Sequence, residues 1–421
     1  MSLKQIVYVT ALAAAVAITI AFAPDANAAS KYRVLYNFYG QNGFPGPKGG
    51  LPLLFAALAI DGNGHLYGTA AGGTGNNCFG PCGVIFEMTR GGNGKWSESV
   101  AFNFTNPSTQ GIPYTALTAD GQGNLYGGAS GGEQGYLNLL YQLTPRPGGW
   151  ALNVVEDPGT DVGGITDASG NLFGFLGDGA YDDGGVGELS HAADGWTLTQ
   201  LYSFCRNGNC STGVRPLVPL SWDSKGNLYG TTYEGGFSYP QCYCGVAFQL
   251  TPNSDGTWTY HRLHVFGSFP SDGRSPYGGL TVDAAGNVYG TTTNGGPNQD
   301  GTVFKLTPTS DGRWKETIIY GFGIECNCAS PGNNLVFDKA GNLYGTAATF
   351  EECKVGGNGC GLVFKLAPQK NGSWKNSLVH LFRGPDGEYP NGLTMDSKGN
   401  LYGTTTLGGK YDVGVVFEIT P

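Results

Sequence analysis

Six carboxylates crowd two short stretches of the chain: Glu156, Asp157 and Asp161, then Asp178, Asp182 and Asp183, with Tyr181 beside them. Carboxylates at this density repel one another unless they are solvated or neutralised by a cation. Oxygen ligands suit calcium, so Asp178, Asp182 and Asp183 form a candidate calcium site. Together with Asp157, Asp161 and Tyr181 they also form a candidate ligand-binding patch for a cationic partner. The competing reading is an ordinary solvated acidic loop. A third chemistry is general acid–base cleavage of a polysaccharide, which needs two carboxylates set several ångströms apart around the substrate. No catalytic residue is assigned.

Ten cysteines offer a second chemistry: Cys78, Cys82, Cys205, Cys210, Cys242, Cys244, Cys326, Cys328, Cys353 and Cys360. An even count in an exported chain implies disulfides. Partners two residues apart are poorly placed to bridge each other. The expectation is therefore Cys78–Cys82, plus bridges between loops: Cys205 and Cys210 with Cys242 and Cys244, Cys326 and Cys328 with Cys353 and Cys360. A zinc ion held by four cysteines is the alternative. The five histidines, His65, His191, His261, His264 and His380, fall in different repeats and elements, so no histidine triad or histidine zinc site is expected.

Export is read from residues 1–28. Lys4 precedes an uncharged apolar run from Ile6 to Ala23, and Ala26-Asn27-Ala28 is a small-residue cleavage pattern. Residues 29–421 would then form one domain outside the cytoplasm, periplasmic, cell-surface or secreted. An uncleaved anchor is the other reading of that run. The chain carries a net charge of −9, which argues against nucleic acid as a partner. After cleavage no membrane insertion is expected, and a monomer is.

Elements that position these residues emerge from an internal repeat. Seven segments carry the core found as Asn227-Leu228-Tyr229-Gly230, Asn287-Val288-Tyr289-Gly290, Asn342-Leu343-Tyr344-Gly345 and Asn400-Leu401-Tyr402-Gly403, spaced 47 to 60 residues apart. Each repeat holds four strand-like runs separated by Gly and Asp turns. In 278–322 these are Gly279 to Asp283, Asn287 to Thr293, Gly301 to Pro308 and Trp314 to Phe322. Composition agrees: 73 glycines and 12% aromatic residues suit many short strands around an aromatic core. The last repeat stops after its third strand, 414–420. Residues 32–38, ahead of the first repeat, resemble a fourth. The expected fold is thus all-β: a seven-bladed β-propeller of four-stranded blades, closed by the N-terminal strand pairing with the C-terminal one.

Repetition also separates structure from function, because a residue present in every blade serves the blade. The seven Asp-x-x-Gly acids, from Asp61 to Asp396, are read as turn formers. The recurrent Tyr and Trp are read as packing between blades. Function is left to loops that do not repeat, where Phe237, Phe269, Tyr277 and Tyr389 are among the aromatics available for sugar or protein contacts.

The motif Asp396-Ser397-Lys398-Gly399-Asn400-Leu401-Tyr402-Gly403-Thr404-Thr405, followed by Gly414-Val415-Val416-Phe417-Glu418-Ile419-Thr420-Pro421, resembles the GloVer tandem repeat of exported bacterial proteins. The resemblance implies export and a repeat architecture, and brings no catalytic residues with it. The function expected is a non-catalytic binding scaffold for a glycan or an extracytoplasmic protein, held on the disulfide-braced loop face. A carbohydrate-active hydrolase or lyase and a structural envelope protein are the alternatives. No cofactor is expected apart from the calcium considered above.

Overall fold

The computed structural model describes residues 30–421, except 42–43, 46–56, 71–82, 106–111, 114, 132–136, 156–163, 168, 177–183, 193–194, 209, 217–218, 238–243, 324–330 and 350–359. Seven four-stranded antiparallel sheets form the blades of a propeller, each ordered A, B, C, D from the axis outward. Among the described residues there is no α-helix. Two 3-10 turns, Arg206–Gly208 and Cys210–Thr212, lie in the loop leading into blade four.

Blade five shows the pattern: A at Thr281–Val282, B at Val288–Thr292, C at Thr302–Pro308 and D at Trp314–Gly321. The sequence reading placed all four, although strand A is shorter than expected. The ring closes as expected too. Lys31–Asn37 supplies strand D of blade seven and runs antiparallel to Val415–Thr420, with Tyr32 opposite Ile419 and Asn37 opposite Val415. Phe38 N–H continues the ladder to the Gly414 carbonyl at 3.1 Å.

The repeated Tyr-Gly-Thr of strand B explains itself residue by residue. Its Gly lies under the C-strand ring of the same blade. A Cβ on Gly290 would sit 2.6 Å from Cζ of Phe304, and one on Gly345 would sit 2.5 Å from Cζ of Phe364. Blade three pairs Gly174 with Gly187, so there the ring itself is missing. The Thr reaches the next blade: Thr291 donates to the Asn333 carbonyl at 3.2 Å, and Thr346 to that of Asn391 at 3.1 Å. The Tyr is buried and meets the Trp that opens strand D of the following blade, as in Tyr67–Trp150, Tyr229–Trp314 and Tyr289–Trp374. Edge-on aromatic pairs of this kind add about 0.5–1.5 kcal/mol each beyond the area they bury. Neighbouring blades thus share one continuous core, which no single sheet could bury alone.

This geometry sets the two faces. A–B and C–D turns lie on one; D–A and B–C loops lie on the other.

Candidate functional site

On the turn face the seven acids of the repeat are fully engaged. Asp338 is representative. Its Oδ1 accepts the backbone N–H groups of Ala340 and Asn342, and its Oδ2 accepts the Asn342 side-chain amide at 2.7 Å and the Tyr344 hydroxyl at 3.2 Å. Burial works against the charge of Asp338, yet these donors outweigh it and hold the carboxyl below its usual range. The same balance holds Asp223, Asp283 and Asp396 low. A carboxylate with four internal donors has little left for a ligand. These acids build turns, and the tyrosine hydroxyl belongs to the turn in every blade but the third, where Phe173 stands in its place. A cavity of about 580 Å³ lies on this face between blades five and six, and its acids, Asp283 and Asp338, are two of those already engaged.

The loop face is built differently. Its loops around blades four and five are bonded to one another in series. Gly236 N–H donates to the Cys210 carbonyl at 2.9 Å, Ser275 N–H to that of Cys244 at 3.1 Å, Thr293 N–H to that of Ser275 at 3.1 Å, and Gly296 N–H to that of Asp272 at 2.7 Å. Among the described residues six non-glycines have positive φ: Cys205, Ser275, Gln299 and Asp412 in loops of this face, and Arg215 and Tyr389 in the strands Val214–Pro216 and Glu388–Met395. Such conformations cost of order 1–3 kcal/mol each and persist only where the surroundings fix them. Among the described residues, loops of this face leave the large rings of Phe237, Phe269 and Tyr411 exposed. Phe237 and Phe269 come from adjacent loops, and Tyr233 and Tyr277 meet edge-on at 5.6 Å in the same region.

The cysteines correct one expectation. Cys205 is bonded to Cys210 within a single loop, not across to the B–C loop of blade four. Positive φ at Cys205 and the following 3-10 turn fold the loop back until the two Cα atoms are 4.0 Å apart. Cys244 is disulfide-bonded as well. Cys78, Cys82, Cys242, Cys326, Cys328 and Cys353, and the side chain of Cys360, lie outside the described residues. So do Asp157, Asp161, Asp178, Tyr181, Asp182 and Asp183, the candidate ligand and calcium residues, along with the proposed leader.

One histidine has partners that sequence spacing did not show. Residues from two blades do converge. His264, on strand D of blade four (Trp258–Val265), places Nε2 3.1 Å from Oδ2 of Asp272 and 3.6 Å from Oε2 of Glu316. Asp272 belongs to the loop that follows, and Glu316 to strand D of blade five. The side chains are 13%, 0% and 5% exposed, respectively. The Ser268 N–H also donates to Asp272 at 2.8 Å, which fixes that carboxylate. Glu316 is pushed up to about 7, chiefly by burial, with His264 drawing it down and the Asp272 charge and hydrogen bond raising it. Sequence spacing hid this trio, because Glu316 lies 52 residues after His264. Aligning the outer strands reveals it. The residue two after the opening Trp meets the preceding blade, and there Glu316 stands where blade four has Tyr260 and blade seven has Tyr32.

Residues 151–355 match the model of a family described as the Gloeobacter/Verrucomicrobia repeat. No curated protein matches the chain. Among solved structures, an ancestral GH74 enzyme is similar with a TM-score of 0.54 and 14% identity, over 92% of this chain and 51% of that one. The polysaccharide lyase Uly1 gives 0.49 and 12%, over 91% and 92%. The β-propeller domain of the Trilobed protease from Pyrococcus furiosus gives 0.45 and 8%, over 88% and 93%. At these identities the likeness is one of fold. Among the described residues no helix is long and apolar enough to cross a membrane.

Proposed function

The repeats over 151–355 belong to the Gloeobacter/Verrucomicrobia repeat family, and from that premise we propose that the protein is an exported, non-catalytic binding scaffold whose loop face at blades four and five takes a glycan. One observation carries the reading. The exposed rings of Phe237 and Phe269 stand on loops that are hydrogen-bonded in series, and the loop of Phe269 holds Ser275 at positive φ. Rigid loops that present aromatic faces lose little freedom on binding, and flat rings suit the apolar faces of pyranose sugars. Disulfides at Cys205–Cys210 and Cys244 fit a protein that works in an oxidising compartment.

A glycan array with the purified protein, run beside a polysaccharide-degradation assay, tests the proposal. Binding that falls at least tenfold in Phe237→Ala/Phe269→Ala, without product release, supports it. Turnover of a bound polysaccharide, or glycan binding indifferent to both rings, counts against it.

A further inference from the structure

We propose that His264, Asp272 and Glu316 bind a divalent transition-metal ion, zinc by their donor set, which clamps the outer strands of blades four and five. One imidazole nitrogen with two carboxylate oxygens is a zinc-type ligand set. The three come from two blades and the loop between them, so an ion there ties one sheet to the next.

Distance agrees with this assignment. Bonds of about 2.0–2.2 Å in a tetrahedral site place ligand atoms about 3.3–3.6 Å from one another. His264 Nε2 lies 3.1 Å from Asp272 Oδ2 and 3.6 Å from Glu316 Oε2. All three ligand atoms fall within 4.8 Å of one another.

An independent observation comes from Glu316 itself. Its side chain is only 5% exposed, and Oε1 is buried with no hydrogen-bond partner among the described residues. A buried carboxylate oxygen without a donor is costly. Its nearest polar neighbour on the loop is another carboxylate, which donates nothing unless protonated. A cation resolves both problems: with a neutral imidazole as ligand, two carboxylates balance a divalent charge.

The molecule carries its own comparison at the seam between blades six and seven. There His380 Nε2 meets Asp386 Oδ2 at 2.9 Å, and Asp386 accepts the Arg383 N–H at 2.7 Å. This repeats the His264–Asp272–Ser268 arrangement. The third position, however, is Tyr32, whose ring stacks on His380 with centroids 3.8 Å apart. A histidine–aspartate pair that braces the loop is therefore common to both seams. Of these two seams, the one at blades four and five has a second carboxylate in place of the packed ring, and ring packing explains nothing about Glu316.

The test uses the oxidised, chelator-stripped protein. Zinc is titrated by calorimetry, and cobalt is substituted to read the visible bands of a four-coordinate site. One ion per chain is expected, with affinity lowered more than about 100-fold in His264→Ala and in Glu316→Gln. His65, flanked by Asp61 and Glu87 at 3.3 and 3.2 Å, is the internal control, and His65→Asn should leave binding unchanged. Zinc should also raise the melting temperature of the wild type but not of Glu316→Gln. That variant, near-isosteric and neutral, keeps the seam packed and reads ligand loss even where His264→Ala fails to fold. No stoichiometric uptake, or uptake that Glu316→Gln leaves intact, overturns the proposal in favour of a proton shared between the two carboxyls.

Discussion

Trp96, which opens strand D of blade one, packs edge-on against Tyr402 of blade seven, with ring centroids 5.6 Å apart and planes at 67°. This is the contact that Trp150, Trp314 and Trp374 make with the blade before them, repeated where the two ends of the chain meet. The junction is therefore an ordinary blade seam with an ordinary core, and it exists only because Lys31–Asn37 completes blade seven.

A chain beginning at residue 41 tests that dependence. It lacks the strand paired with Val415–Thr420 and also Phe38, which is fully buried and packs on Phe86 at 5.2 Å. An open sheet edge would be left beside a bared apolar seam. The expected result is aggregation, or a melting temperature lower by roughly 10 °C or more. Calorimetry or light scattering of the shortened chain reads it directly.

Glycines of the repeat separate into two kinds with different expected costs. Gly345→Ala drives a methyl to 2.5 Å from Phe364 Cζ in a fully packed blade, and overpacking of this sort costs about 1–3 kcal/mol or more. Gly372→Ala has open space around it but a φ of +83°, so only backbone strain of about 1–2 kcal/mol remains. Adding Phe364→Leu should recover part of the loss at Gly345 and none at Gly372. Urea unfolding of the three variants distinguishes steric from conformational cost.

Acid should weaken the turns together. Asp223, Asp283, Asp338 and Asp396 are resisted by burial but held below the usual aspartate range by their amide donors. A carboxyl whose folded-state value is depressed stabilises the fold above its unfolded value, near 4, and loses that contribution as pH falls through the folded one. Melting temperature should thus decline from pH 5 towards pH 2.5. Asp338→Asn should start lower at pH 7 and decline less steeply, because one of the depressed carboxyls is gone. A variant profile parallel to that of the wild type would show that Asp338 does not take part.

What could be read in advance follows from what repeats. Seven copies of one motif exposed blade number, strand order and the missing fourth strand of the last blade, and the turn role of Asp338 followed from its presence in every copy. Loop geometry was illegible because nothing in the local sequence announces it. Cys205 adopts positive φ without being glycine, and so reaches Cys210 instead of the neighbouring loop. Glu316 looked like one more charged residue on an outer strand. Only the packing of blade five against blade four brings it to His264.

The Cys205–Cys210 bridge closes a loop of a few residues, and small loops gain little: about 2 kcal/mol from chain entropy. Its larger effect should be local. The Cys210 carbonyl accepts both the Gly213 and the Gly236 N–H groups, at 3.0 and 2.9 Å, so the bridge positions an acceptor on which the B–C loop of blade four leans. Cys205→Ser/Cys210→Ser should therefore cost about 2 kcal/mol in global unfolding, yet speed amide exchange at Gly213 and Gly236 well beyond that at Val246 or Phe248 in the strand behind them. Opening of a loop is a sub-global event with its own free energy, and exchange measured residue by residue separates it from unfolding of the blade. If Phe237 serves as a binding ring, glycan affinity should fall in the same variant while the strands remain protected. Uniform loss of protection across blade four would mean that the bridge supports the sheet and not the loop.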